Sequence, residues 1–133
     1  MKIVIDGKPM GKQRPRFNSK TGHTYTPDKT VNYENWVKLC WQEQTKREKL
    51  TGAIKADIKV FYPIPKATNK KKKIEMLCGV IRPTKKPDVD NIAKIILDSL
   101  NGLAYDDDKQ VITCYISKWY GENPRVEVIL EED

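Results

Sequence analysis

Five carboxylates stand in two blocks around one lysine. Asp88 and Asp90 are separated by a single residue, Lys94 follows four positions later, and Asp106, Asp107 and Asp108 come after an apolar interval. His23 is the only histidine, and Cys40, Cys78 and Cys114 are too widely spaced to form a Cys-x-x-Cys pair. Zinc sites, histidine acid–base pairs and a disulfide framework are therefore disfavoured, and the cysteines read as reduced packing residues. An all-oxygen donor set suits Mg²⁺, with Mn²⁺ as a possible substitute. Mg²⁺ is typically held by a few carboxylates together with waters and substrate phosphate oxygens, which leaves positions for a phosphodiester and an attacking water. The Lys94 ammonium could then orient that water or stabilise a pentavalent phosphate.

The same residues admit plainer readings. Aspartate is favoured at helix N-caps and in first turns for structural reasons, and the Asp106–Asp108 run could be a solvated turn. An EF-hand fails, because the loop from Asp106 lacks the central glycine and has Ser117 where the bidentate glutamate belongs. An Asp-x-Asp nucleotide-sugar transferase needs a larger nucleotide-binding domain than 133 residues allow.

The elements that would position the two blocks follow from local patterning. Pro87 biases Lys86 towards extended backbone, and Asp90 is expected to cap a helix beginning near Asn91. Ile92, Ile95, Ile96, Leu100 and Leu103 give that helix one apolar face, and Asn101-Gly102 supplies its end. On this reading Asp88 and Asp90 project to one side of an extended lead-in, and Lys94 stands about 6 Å further along the helix, so the three converge.

Earlier in the chain, Lys2 to Asp6 reads as a strand stopped by Gly7. Gly11 to Pro27 forms a long basic loop in which Lys12, Arg14 and Arg16 mix with Phe17 and Tyr25. Cations interleaved with aromatics suit phosphate contact and base stacking; the alternative is a solvated loop whose two aromatics tuck onto the core. Thr30 to about Lys49 reads as a helix with Val31, Trp36, Val37, Leu39, Cys40 and Trp41 on one side, the tryptophans serving core or dimer packing. Ala53 to Tyr62 alternates as a strand ended by Pro63 and Pro65. Lys66 to Val80 is a short helix or a mobile arm, and its Lys70–Lys73 run is either a solvated face or a contact to backbone phosphates. Val111 to Tyr120 and Arg125 to Leu130 read as strands joined in a hairpin by the Gly121–Pro124 turn. The expected fold is α/β in the α+β sense: a single domain spanning residues 1–133, with a mixed four-stranded sheet, two main helices and the order strand-helix-strand-helix-strand-strand.

Lys and Arg outnumber Asp and Glu by 25 to 18, a net charge of +7 that fits either a polyanionic partner or simply a soluble surface. No apolar run is long enough to cross a bilayer, and Met1 to Gly7 is too short for a secretory signal, so a cytoplasmic protein without a membrane partner is expected.

The blocks Lys86-Pro87-Asp88-Val89-Asp90-Asn91-Ile92-Ala93-Lys94, Leu97-Asp98-Ser99-Leu100-Asn101-Gly102 and Tyr105-Asp106-Asp107-Asp108-Lys109-Gln110-Val111 resemble the signature of the RusA-type Holliday junction resolvases. Gly11-Lys12, Arg14-Pro15-Arg16, Tyr25-Thr26-Pro27 and Tyr33-Glu34 extend the resemblance over nearly the whole chain. It implies a small homodimeric, Mg²⁺-dependent endodeoxyribonuclease that nicks four-way DNA junctions at symmetry-related positions, encoded by a bacterium or a bacteriophage. It implies metal and catalytic roles for Asp88, Asp90 and Asp108, with Asp107 as the neighbouring acid, and a catalytic role for Lys94. Lys12, Arg14, Arg16, Lys85 and Lys86 are the candidate DNA-backbone contacts. Pro87 departs from members with a basic residue before the first aspartate, and Leu97 from members with an aromatic there. A nuclease acting on other branched or single-stranded DNA, and a non-catalytic DNA-binding module, are the competing readings.

Overall fold

The computed structural model describes all 133 residues. Six strands and three helices follow in the order β1 (Lys2–Asp6), β2 (Arg16–Asn18), β3 (His23–Tyr25), α1 (Asp28–Gln44), β4 (Ile54–Pro63), α2 (Lys70–Leu77), α3 (Val89–Ser99), β5 (Val111–Gly121) and β6 (Arg125–Glu132). A single 3₁₀ turn at Asp108–Gln110 leads into β5. The main sheet has the order β1-β6-β4-β5, with β4 and β5 parallel and the other neighbours antiparallel. The mixed four-stranded sheet and the order of its elements are as expected. Two elements are additional: a hairpin, β2–β3, within the basic loop, and helix α2.

The expected β5–β6 hairpin does not form, because β4 lies between the two strands. Burial explains the arrangement. Ala56, Ile58 and Val60 of β4 stand opposite Leu130, Val128 and Val126 of β6, and all six are buried, so both strands must be central. β5 carries fewer buried side chains and takes an edge. The inner face is covered by Val37, Cys40 and Trp41 of α1 and by Ile92, Ile95 and Ile96 of α3.

Helix α1 ends at Gln44, short of the expected Lys49, and its buried stripe is Thr30, Tyr33, Val37, Cys40 and Trp41. Val31, Trp36 and Leu39 remain exposed. Trp36 and Gln44 serve the outer edge of β1 instead. Trp36 Nε1 donates to the Asp6 carbonyl at 2.9 Å, while Gln44 accepts from the Val4 N–H at 2.8 Å and donates to the Val4 carbonyl at 2.7 Å. Backbone groups that could pair with another strand are thereby closed off.

Residues 66–80 contain a helix. The Asn69 side chain caps α2 by accepting from the Lys72 N–H at 2.8 Å, and Gly79, at φ 81°, ends it. No residue of α2 is buried. Its four lysines occupy the first turns, at the helix end whose dipole disfavours cations. The helix rests on β5 through Gly79, where a Cβ would lie 2.9 Å from the Trp119 ring.

Ile95 lies wholly inside the α3–sheet contact. Ile95→Ala should cost about 2–5 kcal/mol, read as a lower urea midpoint, whereas Val89→Ala on the exposed side should stay within about 0.5 kcal/mol.

Candidate active site

Helix α3 carries most of the chemistry, and it starts earlier than expected. Its N-cap is Asp88, not Asp90. Proline restricts the residue before it, here Lys86, so nothing delays the helix beyond Asp88, and the Ile92 N–H donates to the Asp88 carbonyl at 3.1 Å to close the first turn. The Asp88 side chain makes no capping bond. Asp90 sits in the first helical turn instead of an extended lead-in, on the same exposed face as Lys94 and Asp98 by i, i+4 spacing.

The Asp88 end opens on a groove of about 490 Å³ whose walls are Pro9 to Gln13 on one side and Lys86 to Asp88 with Asn91 on the other. Its two walls touch at Gly11. A Cβ there would lie 2.9 Å from Asn91 Cβ and 3.0 Å from Pro87 Cβ, and the Lys12 N–H donates to the Asn91 carbonyl at 2.9 Å. Behind the groove, the Tyr62 hydroxyl donates to the Pro87 carbonyl at 2.7 Å, and Lys118 Nζ donates to the Lys85 carbonyl at 2.6 Å while lying 5.1 Å above the Tyr62 ring. Burial, with the Asp88 charge as a lesser cause, pushes the Tyr62 phenol up to about 12, so it remains a hydrogen-bond donor at neutral pH. Strands β4 and β5 thus hold the segment that presents Asp88.

The other end of α3 has its own acidic group, centred on a residue the sequence reading did not assign. Asp98 Oδ2 lies 3.4 Å from Lys94 Nζ and 3.7 Å from Lys12 Nζ, and Lys12 Nζ is also 3.2 Å from Glu34. Asp108 lies near this group: burial first, then the neighbouring acids Asp107 and Asp98, raise its carboxyl above the ordinary value. The Asp108 N–H donates to Asn101 Oδ1 at 2.7 Å, which fixes the approach. Asp107 is occupied differently: its side chain caps the 3₁₀ turn, accepting from the Lys109 N–H at 3.0 Å, a bond that lowers its pKa. Gln110 completes the turn by accepting from the N–H groups of Asp106 and Asp107, each at 3.0 Å.

The expected convergence is therefore only partly met. Asp90 and Lys94 share a face, but Lys94 pairs with Asp98, and no three carboxylate, histidine or cysteine side chains gather closely enough to hold a cation. Asp88 and Asp98 are ten residues apart, roughly 15 Å along the helix. In kind, the donors fit a hard cation: all are oxygen, and Asp88 and Asp90 are exposed and free of ion pairs. In number, they fit one that draws most of its ligands from water and phosphate.

Among the candidate DNA contacts, Arg14 and Arg16 are exposed on the β2–β3 arm. Phe17 and Tyr25, 65% and 50% exposed, stand out from the core instead of tucking onto it. Lys85 and Lys86 are exposed beside Asp88, whereas Lys12 is tied to Glu34 and Asp98 with its side chain 20% exposed. Helical spacing from Lys94 could have pointed to Asp98; nothing in the sequence signals its contacts with Lys12 and Asp108.

Gly11→Ala should push the two groove walls apart. A lower melting temperature, a loss of about 1–3 kcal/mol and faster hydrogen exchange at the Lys12 amide are expected; unchanged exchange there would show that the walls are not packed in this way.

No helix is long and apolar enough to cross a membrane. A Bacillus subtilis (strain 168) protein named "Uncharacterized protein YqaN" is 40% identical over 136 residues, covering 99% of this chain and 96% of that protein. The profile of the family described as endodeoxyribonuclease RusA matches residues 6–131, a span that takes in the basic arm, the groove, both acidic groups and the whole of α3. By that match, the chain belongs to the endodeoxyribonuclease RusA family.

Proposed function

We propose that this protein is a Mg²⁺-dependent endodeoxyribonuclease that cuts four-way DNA junctions by paired, symmetry-related nicks and acts as a homodimer in bacterial or bacteriophage recombination and repair. The observation that carries the reading is the free Asp88 carboxylate on a groove with basic flanks, in a chain of this family. A four-way junction has approximate two-fold symmetry, so a two-fold dimer offers equivalent centres to opposite strands. One protomer would make one nick.

Asp88 and Asp90 would hold the cation beside the groove, and Asp108 would hold one beside Asp98. When bound, Mg²⁺ supplies Lewis-acid polarisation of the phosphate and a more acidic water. The chain's own residues supply the rest. The Lys94–Asp98 pair is exposed on the lysine side, 61% of that side chain being accessible, and such pairs contribute about 0–1 kcal/mol. Lys94 can leave Asp98 for an incoming phosphate at little cost. Arg14 and Arg16 bind the backbone, and exposed Phe17 and Tyr25 offer stacking surfaces to bases unpaired at a branch point. Flaps and single strands also expose unpaired bases, so a nuclease for those substrates is the second reading; cleavage of junction, flap and single strand side by side separates the two.

Asp90→Asn should abolish cutting and leave junction binding nearly unchanged; persistent cutting would remove Asp90 from the chemistry. Arg14→Ala with Arg16→Ala should weaken binding and reduce the slope of log K against log salt by about 1–2, and an unchanged slope would return the arm to solvent.

A further inference from the structure

The net charge of the protein is not spread over its surface. Residues 66–86, which join β4 to α3, contain eight cations and one carboxylate, an excess equal to the +7 of the whole chain. Elsewhere cations and carboxylates are equal in number, and Lys2, Lys12, Lys49, Lys55, Lys94 and Arg125 stand in ion pairs. Within 66–86 the one ion pair is Lys73 with Glu122, at a long 3.9 Å.

Contacts with β5 hold this segment against the sheet edge. Lys70 to Lys73 stand on a helix with no buried residue. Beyond Gly79 the Arg82 guanidinium stacks 3.5 Å from the Trp119 ring centroid and donates from Nε to the Lys118 carbonyl at 2.6 Å. Lys118 in turn donates to the Lys85 carbonyl at 2.6 Å, and Asp88 lies three residues past Lys85. The aromatic and backbone contacts fix where the cations stand without neutralising them. The eight residues of α2 alone extend about 12 Å, the axial span of about three to four base pairs.

We propose that residues 66–86 with Lys118 form the surface on which one duplex arm of the substrate lies, its backbone phosphates bound by α2 and Arg82 and led along β5 to Asp88. The surface is continuous with the groove and opposite in charge to the ligand. Holding seven uncompensated cations together disfavours the free protein, and a phosphate backbone relieves that repulsion. The proposal rests on the reading of the protein as a DNA-cutting enzyme, and it assigns to α2 a role that the lysine run alone could not establish.

The test compares two charge-matched variants of the full chain. One carries Lys70→Gln, Lys71→Gln and Lys72→Gln, which spare the Asn69 cap and the Lys73–Glu122 pair; glutamine is as good a helix former as lysine. The other carries Lys38→Gln, Lys46→Gln and Arg47→Gln, in and just after α1. Binding of a synthetic four-way junction is measured across a salt series without divalent cation, with circular dichroism and melting curves as checks on folding. The α2 variant should lower the salt slope by about 0.9 per phosphate lost, up to about 3 in all, and weaken binding by more than tenfold at moderate salt. The α1 variant should keep the parental slope. A parental slope in the α2 variant, or an equal fall in both, overturns the proposal. Failure of the nuclease reading shows separately, as a parent that binds the junction but does not cut it with Mg²⁺. A parent that binds no DNA overturns both.

Discussion

The parallel pairing of β4 with β5 is the constraint on which the rest depends. Parallel neighbours cannot be joined by a tight turn, so the chain must travel back across the sheet between them, and α3 is the last leg of that return. Its pose is fixed by burial: Ile92, Ile95 and Ile96 are wholly inside, each contributing about 1.5–3 kcal/mol, whereas the exposed Lys94–Asp98 pair contributes about 0–1 kcal/mol. The apolar face decides how the helix lies. The charged face follows, and stays free to rearrange around a ligand. Tyr62 from β4 and Lys118 from β5 then hold the Lys85–Pro87 carbonyls, so the same strand pair that requires the crossover also presents Asp88.

Charge is arranged on the same frame. Asp98 gathers Lys94, Lys12 and Asp108 at one end of α3, while Asp88 and Asp90 at the other end have no cationic partner. Asp88 lies beside Lys85 and Lys86 without an ion pair, while Arg82 donates to the Lys118 carbonyl of β5 and the Lys118 side chain donates to the Lys85 carbonyl. That arrangement leaves the acids available to a cation and the cations available to phosphate.

Much of this was legible in the chain. The strict alternation of β4 and the apolar stripe of α3 are local patterns, and each appears where its period places it. What was illegible depended on distant partners. Strand order turned on which inner faces are most buried, so β6 went beside β4 although the short turn favoured a hairpin with β5. Trp36, read as core or dimer packing, stands outside the protomer core and is held by its indole N–H at the β1 edge, a bond across 30 residues. The partners of Lys12, Glu34 and Asp98, lie 22 and 86 residues away and carry no local signal. The two-residue difference at the start of α3 came from treating Asp90 as the better cap, when Pro87 allows the helix to begin directly after Asp88.

The central claim is that this surface cuts branched DNA with a divalent cation. Its most direct test is incubation of the protein with a synthetic mobile four-way junction and with linear duplex of the same sequence, each with and without Mg²⁺. Paired, symmetry-related nicks in the junction alone and with the metal alone are expected. Binding of the junction with no cleavage under either Mg²⁺ or Mn²⁺ would contradict the claim, and would make the protein a DNA-binding module whose acidic residues only shape a helix.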